Sequence, residues 1–457
     1  MALARRLAKV DELVRTGGDG WKELIGLYRR PPRARPFDPR PQQHIRIHQR
    51  CRVVRLFQRL TEAAERGEPM TGGAARLVRG SEEKRATFLD LFFDLVFVFA
   101  IFRFSQELLD HLNWTGAFQT LVPLLALWWV WNETSGVADR FDPRRPAIQV
   151  LFIGCMFGSL VLVAAAPEAF GEHGLVFAGG YVAVQVGRSL FLVIVTRGDE
   201  RQRPEMRMLF WFGVSAVPWL AGAALQGWPR GVLWTLAVAV DYTVARLGWP
   251  TPRLGRASAA EFSVSGEFLA ERHRQGFIIA LGELILVTGL GLSSNAFEAD
   301  RSAAVVVAFA TTVLLWRIYI HRAGEVFGGA VAAAPETLRV TVSVQYAHLV
   351  MVAGIVAISV GDELVIEHPL GHTQPAWATV ILGGPALFLA GRAALEYEVF
   401  GRVSRDRVAG VLALAAISPA TIFLPPVLVA AAAALVLAAI AVSDAARAPR
   451  RPPEPPG

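Results

Sequence analysis

Cysteine is nearly absent. Of 457 residues only Cys51 and Cys155 carry a thiol, so neither a disulfide framework nor a thiolate metal site is on offer. Charge is scarce too: Asp, Glu, Lys and Arg make up 19% of the chain against 53% hydrophobic residues, a balance foreign to ordinary soluble domains. Catalytic signatures are missing as well. The sequence contains no HExxH, no His and Cys cluster, no P-loop and no dinucleotide glycine fingerprint, and Ser105 and Ser215 show no base at hand. Enzyme activity, a cofactor, a bound metal and ATP-driven transport within this chain are therefore not expected. No apolar stretch of membrane length precedes Phe88, so a cleavable signal peptide is not expected either.

What the chain does have is a series of apolar runs. From Phe88 onward they are roughly 18 to 23 residues long, enough to span about 30 Å of hydrocarbon. The expected spans are 87–109, 115–137, 147–166, 174–196, 206–225, 230–248, 274–291, 301–321, 340–361, 375–396, 408–424 and 426–443. The last two are divided only by Pro425 and Pro426, so a single broken segment rivals them. Successive loops alternate in arginine. One set holds 17, from Arg140 to Arg407 and including Arg272 and Arg274, whereas the other holds only Arg230 and Arg301. That bias places both termini in the cytoplasm.

Two halves of the membrane body also resemble each other. His273–Val287 aligns without a gap on Lys84–Val98, matching Arg274 to Arg85, Phe277 to Phe88 and Glu283 to Asp94. Gly187 and Arg188 further match Gly391 and Arg392. The expected fold is thus an all-α polytopic membrane protein of about 12 transmembrane helices, arranged as two parallel six-helix repeats. Residues 81–249 form the first repeat and 274–443 the second, joined by a cytoplasmic linker at 250–273 and followed by a Pro-rich tail at 444–457. Residues 1–80 form a basic cytoplasmic extension with a Pro/Arg-rich linker at Arg29–Pro41. Residues 1–87 carry +10 of a total of +7, leaving −3 for the remainder. The extension reads as an orientation signal or as a site for anionic lipid, with no nucleic-acid role expected.

The run Lys84–Leu109 places Asp90, Asp94, Arg103 and Glu107 where lipid tolerates charge poorly. Asp90 and Asp94 share a helix face, and Arg103 points the other way. Asp94 and Arg188 each lie nine residues from an arginine at the cytoplasmic edge, as does Glu283, and Arg392 lies ten away, which puts all four about 13 Å inside. The expectation is that Asp94 pairs with Arg188 and Glu283 with Arg392. Such pairs either fix helix register or form a gate that opens on protonation. His348, at similar depth, is either a proton relay or a hydrogen-bonded core residue. Glu133 beside Trp128, Trp129 and Trp131 is a cavity or an interface residue, and Asp241 and Arg246 read as a surface pair. Candidate transport or gating residues are therefore Asp90, Asp94, Glu133, Arg188, Glu283, His348 and Arg392.

FLDLFFDLVFVFAI from Phe88, ERHRQGFIIALGELIL from Glu271 and YAHLVMVAGIVAISVG from Tyr346 resemble signatures of the bacterial low temperature requirement protein A family. The resemblance covers about Gly80 to Ser443 and carries over Arg85, Asp90, Phe93, Asp94, Glu271, Arg272, Gly282, Glu283 and His348. Asp90 stands where the family commonly has Glu. The resemblance implies a multi-pass protein of the bacterial inner membrane, without a settled substrate or reaction. The pattern R-A-T-F-L-D is also similar to that of potassium channels with two six-helix repeats, although Leu89 replaces their serine. The function expected is movement of a small solute or ion, and the alternative is a non-transporting scaffold or sensor acting through the basic tail.

Overall fold

The computed structural model describes residues 77, 86–257, 261, 265–294, 298–321, 327–331 and 337–447. Most of the basic extension, Arg85 and residues 448–457 lie outside them. Among the described residues there is no strand beyond an isolated bridge between Thr251 and Gly255. Among the described residues, twelve helices longer than ten residues follow one another. They are α1 (Phe88–Asp110), α2 (Trp114–Arg140), α3 (Pro146–Ala165), α4 (Gly174–Val195), α5 (Gln202–Ala223), α6 (Trp228–Arg246), α7 (Gly266–Ser294), α8 (Ala299–Ile320), α9 (Thr337–Glu367), α10 (Pro375–Phe400), α11 (Arg405–Ile417) and α12 (Pro426–Arg447). A 3-10 segment, Ser418–Phe423, extends α11. Together they rise about 30 Å before Pro425 and Pro426 turn the chain into a separate α12.

Eight of these helices are long and apolar enough to cross a membrane: α3, α4, α7, α8, α9, α10, α11 with its 3-10 extension, and α12. The other four fall short for a physical reason. Every 18-residue stretch of α1 contains at least three of Asp90, Asp94, Arg103, Glu107 and Asp110. In α2, α5 and α6, buried tryptophans and groups such as Arg207, Arg230 and Asp241 dilute the apolar average. The outer surface is apolar nonetheless. Phe157, Val217, Val306, Leu412, Leu435 and Val442 are all more than 60% exposed, which suits hydrocarbon rather than water. Trp114 and Trp228, at the starts of α2 and α6, are exposed as interfacial anchors would be.

The helix with the least outward surface is α9, 83% buried along its apolar window, while most of the others are half-buried or less. It packs against α10 through glycine. A Cβ on Gly354 would lie 2.7 Å from the Phe388 nitrogen, one on Gly384 would lie 2.8 Å from the Ile358 nitrogen, and one on Gly391 would lie 2.7 Å from the Ala347 carbonyl oxygen. These are backbone atoms that cannot swing aside, so the two antiparallel helices meet at a distance that only glycine permits. Next to this seam, Ala357, Val360 and Leu364 of α9 and Val380 of α10 close over Leu108, Leu109 and Leu112 at the end of α1.

The N-terminus of α1 shows why Asp90 lies where it does. Its carboxylate accepts from the Thr87 backbone N–H and from the Thr87 hydroxyl, each at 2.7 Å, so it closes a capping box at the helix start. Glu271 of α7 accepts a further bond from the Ala86 N–H at 3.0 Å. The backbone N–H groups that lead into α1 are thus met from its own first turn and from a helix 185 residues away.

Candidate functional site: two buried carboxylates between parallel helices

Asp94 is 1% exposed, and its partner is Arg272. Arg272 Nη2 donates to Asp94 Oδ1 at 2.6 Å, and Nη1 donates to Oδ2 at 2.8 Å, a fork-on-fork arrangement. Trp131 Nε1 adds a third donor to Oδ1 at 2.8 Å, and its ring also lies 5.4 Å from the guanidinium carbon. Arg272 spends further N–H groups on Ser135 Oγ at 3.2 Å and Gln275 Oε1 at 3.1 Å. The charge of Asp94 is therefore fully met by α2 and α7, and the pairing with Arg188 expected from depth is not what forms.

Arg188 bonds elsewhere. Its Nη1 donates to Thr134 Oγ1 at 3.4 Å, its Nη2 lies 3.9 Å from Glu133 Oε2, and its cationic carbon lies 5.5 Å from the Phe212 ring. Glu133 and Arg188, both sequence candidates, are thus brought together with each other rather than with Asp94. Nearby, Arg140 holds Glu205 at 3.1 Å. Arg392 is also placed differently from expectation. It donates to the carbonyls of Ile318 at 3.1 Å and His321 at 2.5 Å, capping the end of α8, and lies 3.2 Å from Glu396. Arg407 ties the same Glu396 at 3.1 Å to Asp444 at 2.6 Å.

Glu283, at 2% exposure, is bonded to no arginine among the described residues. Its Oε1 contacts Ser105 Oγ of α1 at 2.6 Å and Ser359 Oγ of α9 at 3.1 Å, and its Oε2 is buried without a partner. The sequence showed no base beside Ser105; the fold supplies this carboxyl. The contacts Asp94–Arg272 and Ser105–Glu283 span the same 178 residues. Hence α1 and α7 run parallel in one register, with Phe88 level with Gly266. The sequence match sets Asp94 against Glu283 at an offset of 189. The two carboxyls are therefore not at equal depth: Glu283 lies about 16 Å, or three turns, beyond Asp94. The depth argument failed because α7 begins at Gly266, inside the expected linker. Arg272, counted as a loop arginine, is in fact a buried helical one.

Between the two levels lies a cavity of about 20 Å³, lined by Phe97, Ile101 and Phe104 of α1, Leu124 and Trp128 of α2, and Val352 of α9. It has room for about one water but little to bond it.

His348 is not alone at the Asp94 level. Its ring centroid lies 4.5 Å from that of His273, which sequence reading left in the linker and which also faces Trp128 and Trp131. His348 Nδ1 donates to the Val344 carbonyl at 2.8 Å, which leaves Nε2 to accept from the Tyr319 hydroxyl at 3.0 Å. His273 likewise donates from Nδ1 to Leu269 at 2.9 Å, and its Nε2 is unpartnered. Asp241 is no surface residue: it is fully buried and accepts from the Tyr181 hydroxyl at 2.7 Å, while Arg246 reaches Ser343 at 3.0 Å. Phe93 is buried edge-on against Phe152, with centroids 5.8 Å apart. Gly282 is exposed, with open space where a Cβ would point, so packing does not require glycine there.

Parallel apolar helices with paired charges inside and bare hydrocarbon outside define a multi-pass membrane protein. The chain belongs to the family of bacterial low temperature requirement A proteins, LtrA, whose pattern matches residues 85–442. It is also 37% identical over 317 residues to an uncharacterized protein of Rhizobium meliloti (strain 1021), covering 68% of this chain and 77% of that one. No solved structure matches, so the similarity to potassium channels gains no support.

Proposed function

We propose that this LtrA protein moves a small solute or ion along the interface of α1, α7 and α9, with Glu283 as its working carboxyl. The observation that carries the reading is a buried carboxyl held by two serine hydroxyls, with one oxygen unpartnered and no cationic side chain bonded to it. A structural acid in an apolar bundle is expected to have a partner, as Asp94 does, because an unpaired one costs several kcal/mol. The Asp94–Arg272 pair, near the opposite end of α1, acts in this reading as a closed gate and the aromatic cavity as the dry stretch between.

The parallel course of α1 and α7 supports two six-helix units entering the membrane from the same side, hence twelve spans. The arginine bias of the loops supports an inner-membrane protein with both termini cytoplasmic, its basic extension lying against anionic lipid. Ion or solute flux into proteoliposomes tests the reading. Flux that Glu283→Gln abolishes while the protein stays folded supports it. Equal behaviour of the wild type, the variant and empty vesicles favours a scaffold or sensor instead.

A further inference from the structure

We propose that Glu283 is a proton-exchange site, reached from the end of the bundle where α1 and α9 finish along carboxyls carried by α9. The inference rests on reading the α1–α7–α9 interface as the working path, and names the proton as what the site takes up.

The first argument is a count of hydrogens. Ser105 Oγ lies 2.9 Å from the Phe102 carbonyl as well as 2.6 Å from Glu283 Oε1, and Ser359 Oγ lies 3.1 Å from the same Oε1. Three contacts need three protons, and two hydroxyls bring only two. A protonated Glu283 completes the set. Its O–H donates to Ser105, Ser105 donates to Phe102, and Ser359 donates to Glu283.

The second argument is position. Ser105 lies five residues from the end of α1, so the site is about 8 Å from that end. Ser359, Glu363 and Glu367 repeat at intervals of four along α9 and share a face. Glu363, half-buried, is bonded to Gln106 of α1 at 2.9 Å, and Glu367 and Asp110 are exposed at the mouth. Asp362, 7% exposed, holds an unpartnered carboxyl oxygen beside this line. Charged groups also near this line are Arg103 and Glu107 on α1, Glu107 being paired with His111 at 3.1 Å and having Glu168 near it. Asp300 and Arg301 stand at the start of α8, whereas Arg317 and Tyr319 lie at its other end, Tyr319 bonded to His348 at the Asp94 level. The line is predominantly acidic, at the end of the molecule whose loops carry few arginines.

The step balances simply. A hydronium ion at the mouth breaks one O–H bond and leaves as water while an O–H bond forms on the Glu363 carboxylate; that bond breaks as one forms on an ionised Glu283 at Oε1, so Glu363 regains its charge as Glu283 loses its own.

Infrared difference spectroscopy of the full chain, in water and in deuterium oxide, tests this without any transport assay. Expected is a protonated-carboxyl band in the wild type that disappears in Glu283→Gln and moves to higher frequency in Ser105→Ala. It should survive Asp362→Asn, and exchange its deuteron several-fold more slowly in Glu363→Gln. A band that persists in Glu283→Gln, or fails to move in Ser105→Ala, overturns the proposal, as does a folded wild type with no such band. The Ser105→Ala shift decides the matter even if Glu283→Gln does not fold. The band in a protein that moves no ion would uphold this site and sink the transport reading, and flux without the band would do the reverse.

Discussion

Asp94 and Glu283 occupy matched places in the two sequence halves, yet their surroundings are opposites. Asp94 receives two N–H groups from Arg272 and one from Trp131, so its charge is neutralised and its geometry fixed. Glu283 touches serine hydroxyls alone and keeps one oxygen unpartnered. The difference teaches that acids alike in sequence can fold into opposite surroundings, and on the reading proposed above their partners decide which one locks and which one works.

That contrast breaks most readily at the lock. Arg272→Ala leaves Asp94 charged and buried, and is expected to cost about 3–5 kcal/mol, seen as a large fall in the thermal midpoint in detergent. Asp94→Asn combined with Arg272→Gln should cost less than the two single changes summed, because the pair acts as a unit. A weaker effect is expected from the frame that holds α9 in place. Gly384→Val drives side-chain atoms into the Ile358 backbone and should destabilise by about 1–3 kcal/mol, with lower folded yield. On the other side of the contrast, Glu283→Gln exchanges one hydrogen-bonding group for another of equal shape. It should change stability by about 1 kcal/mol or less, while abolishing flux. Smallest of all is Gly282→Ala, which faces open space and should stay within about 0.5 kcal/mol of wild type.

Much of the fold was legible in the sequence, because apolar runs and Pro or Gly breaks mark helices directly. The ends of α1, α2, α3 and α10 fall within a few residues of the expected spans. The partners were not legible. Pairing by depth requires knowing where a helix begins, and α7 starts eight residues before Arg274, in a stretch whose charges look like loop. Arg272 was singled out by family resemblance alone, and nothing in its spacing announced Asp94. Ser359 and Trp131 were missed as site residues because a hydroxyl and an indole in an apolar helix look like ordinary filling. The glycines of α9 and α10 did offer a signal: Gly354 and Gly361, like Gly384 and Gly391, recur at seven-residue spacing, two helical turns apart on one face.

The central claim is that Glu283 works and Asp94 locks. The most direct test is to measure flux and thermal midpoint together in proteoliposomes carrying the wild type, Glu283→Gln or Arg272→Ala. The account predicts that Glu283→Gln loses flux at an unchanged midpoint, and that Arg272→Ala loses midpoint first. Wild-type flux in Glu283→Gln, or a midpoint that falls as far there as in Arg272→Ala, would contradict it.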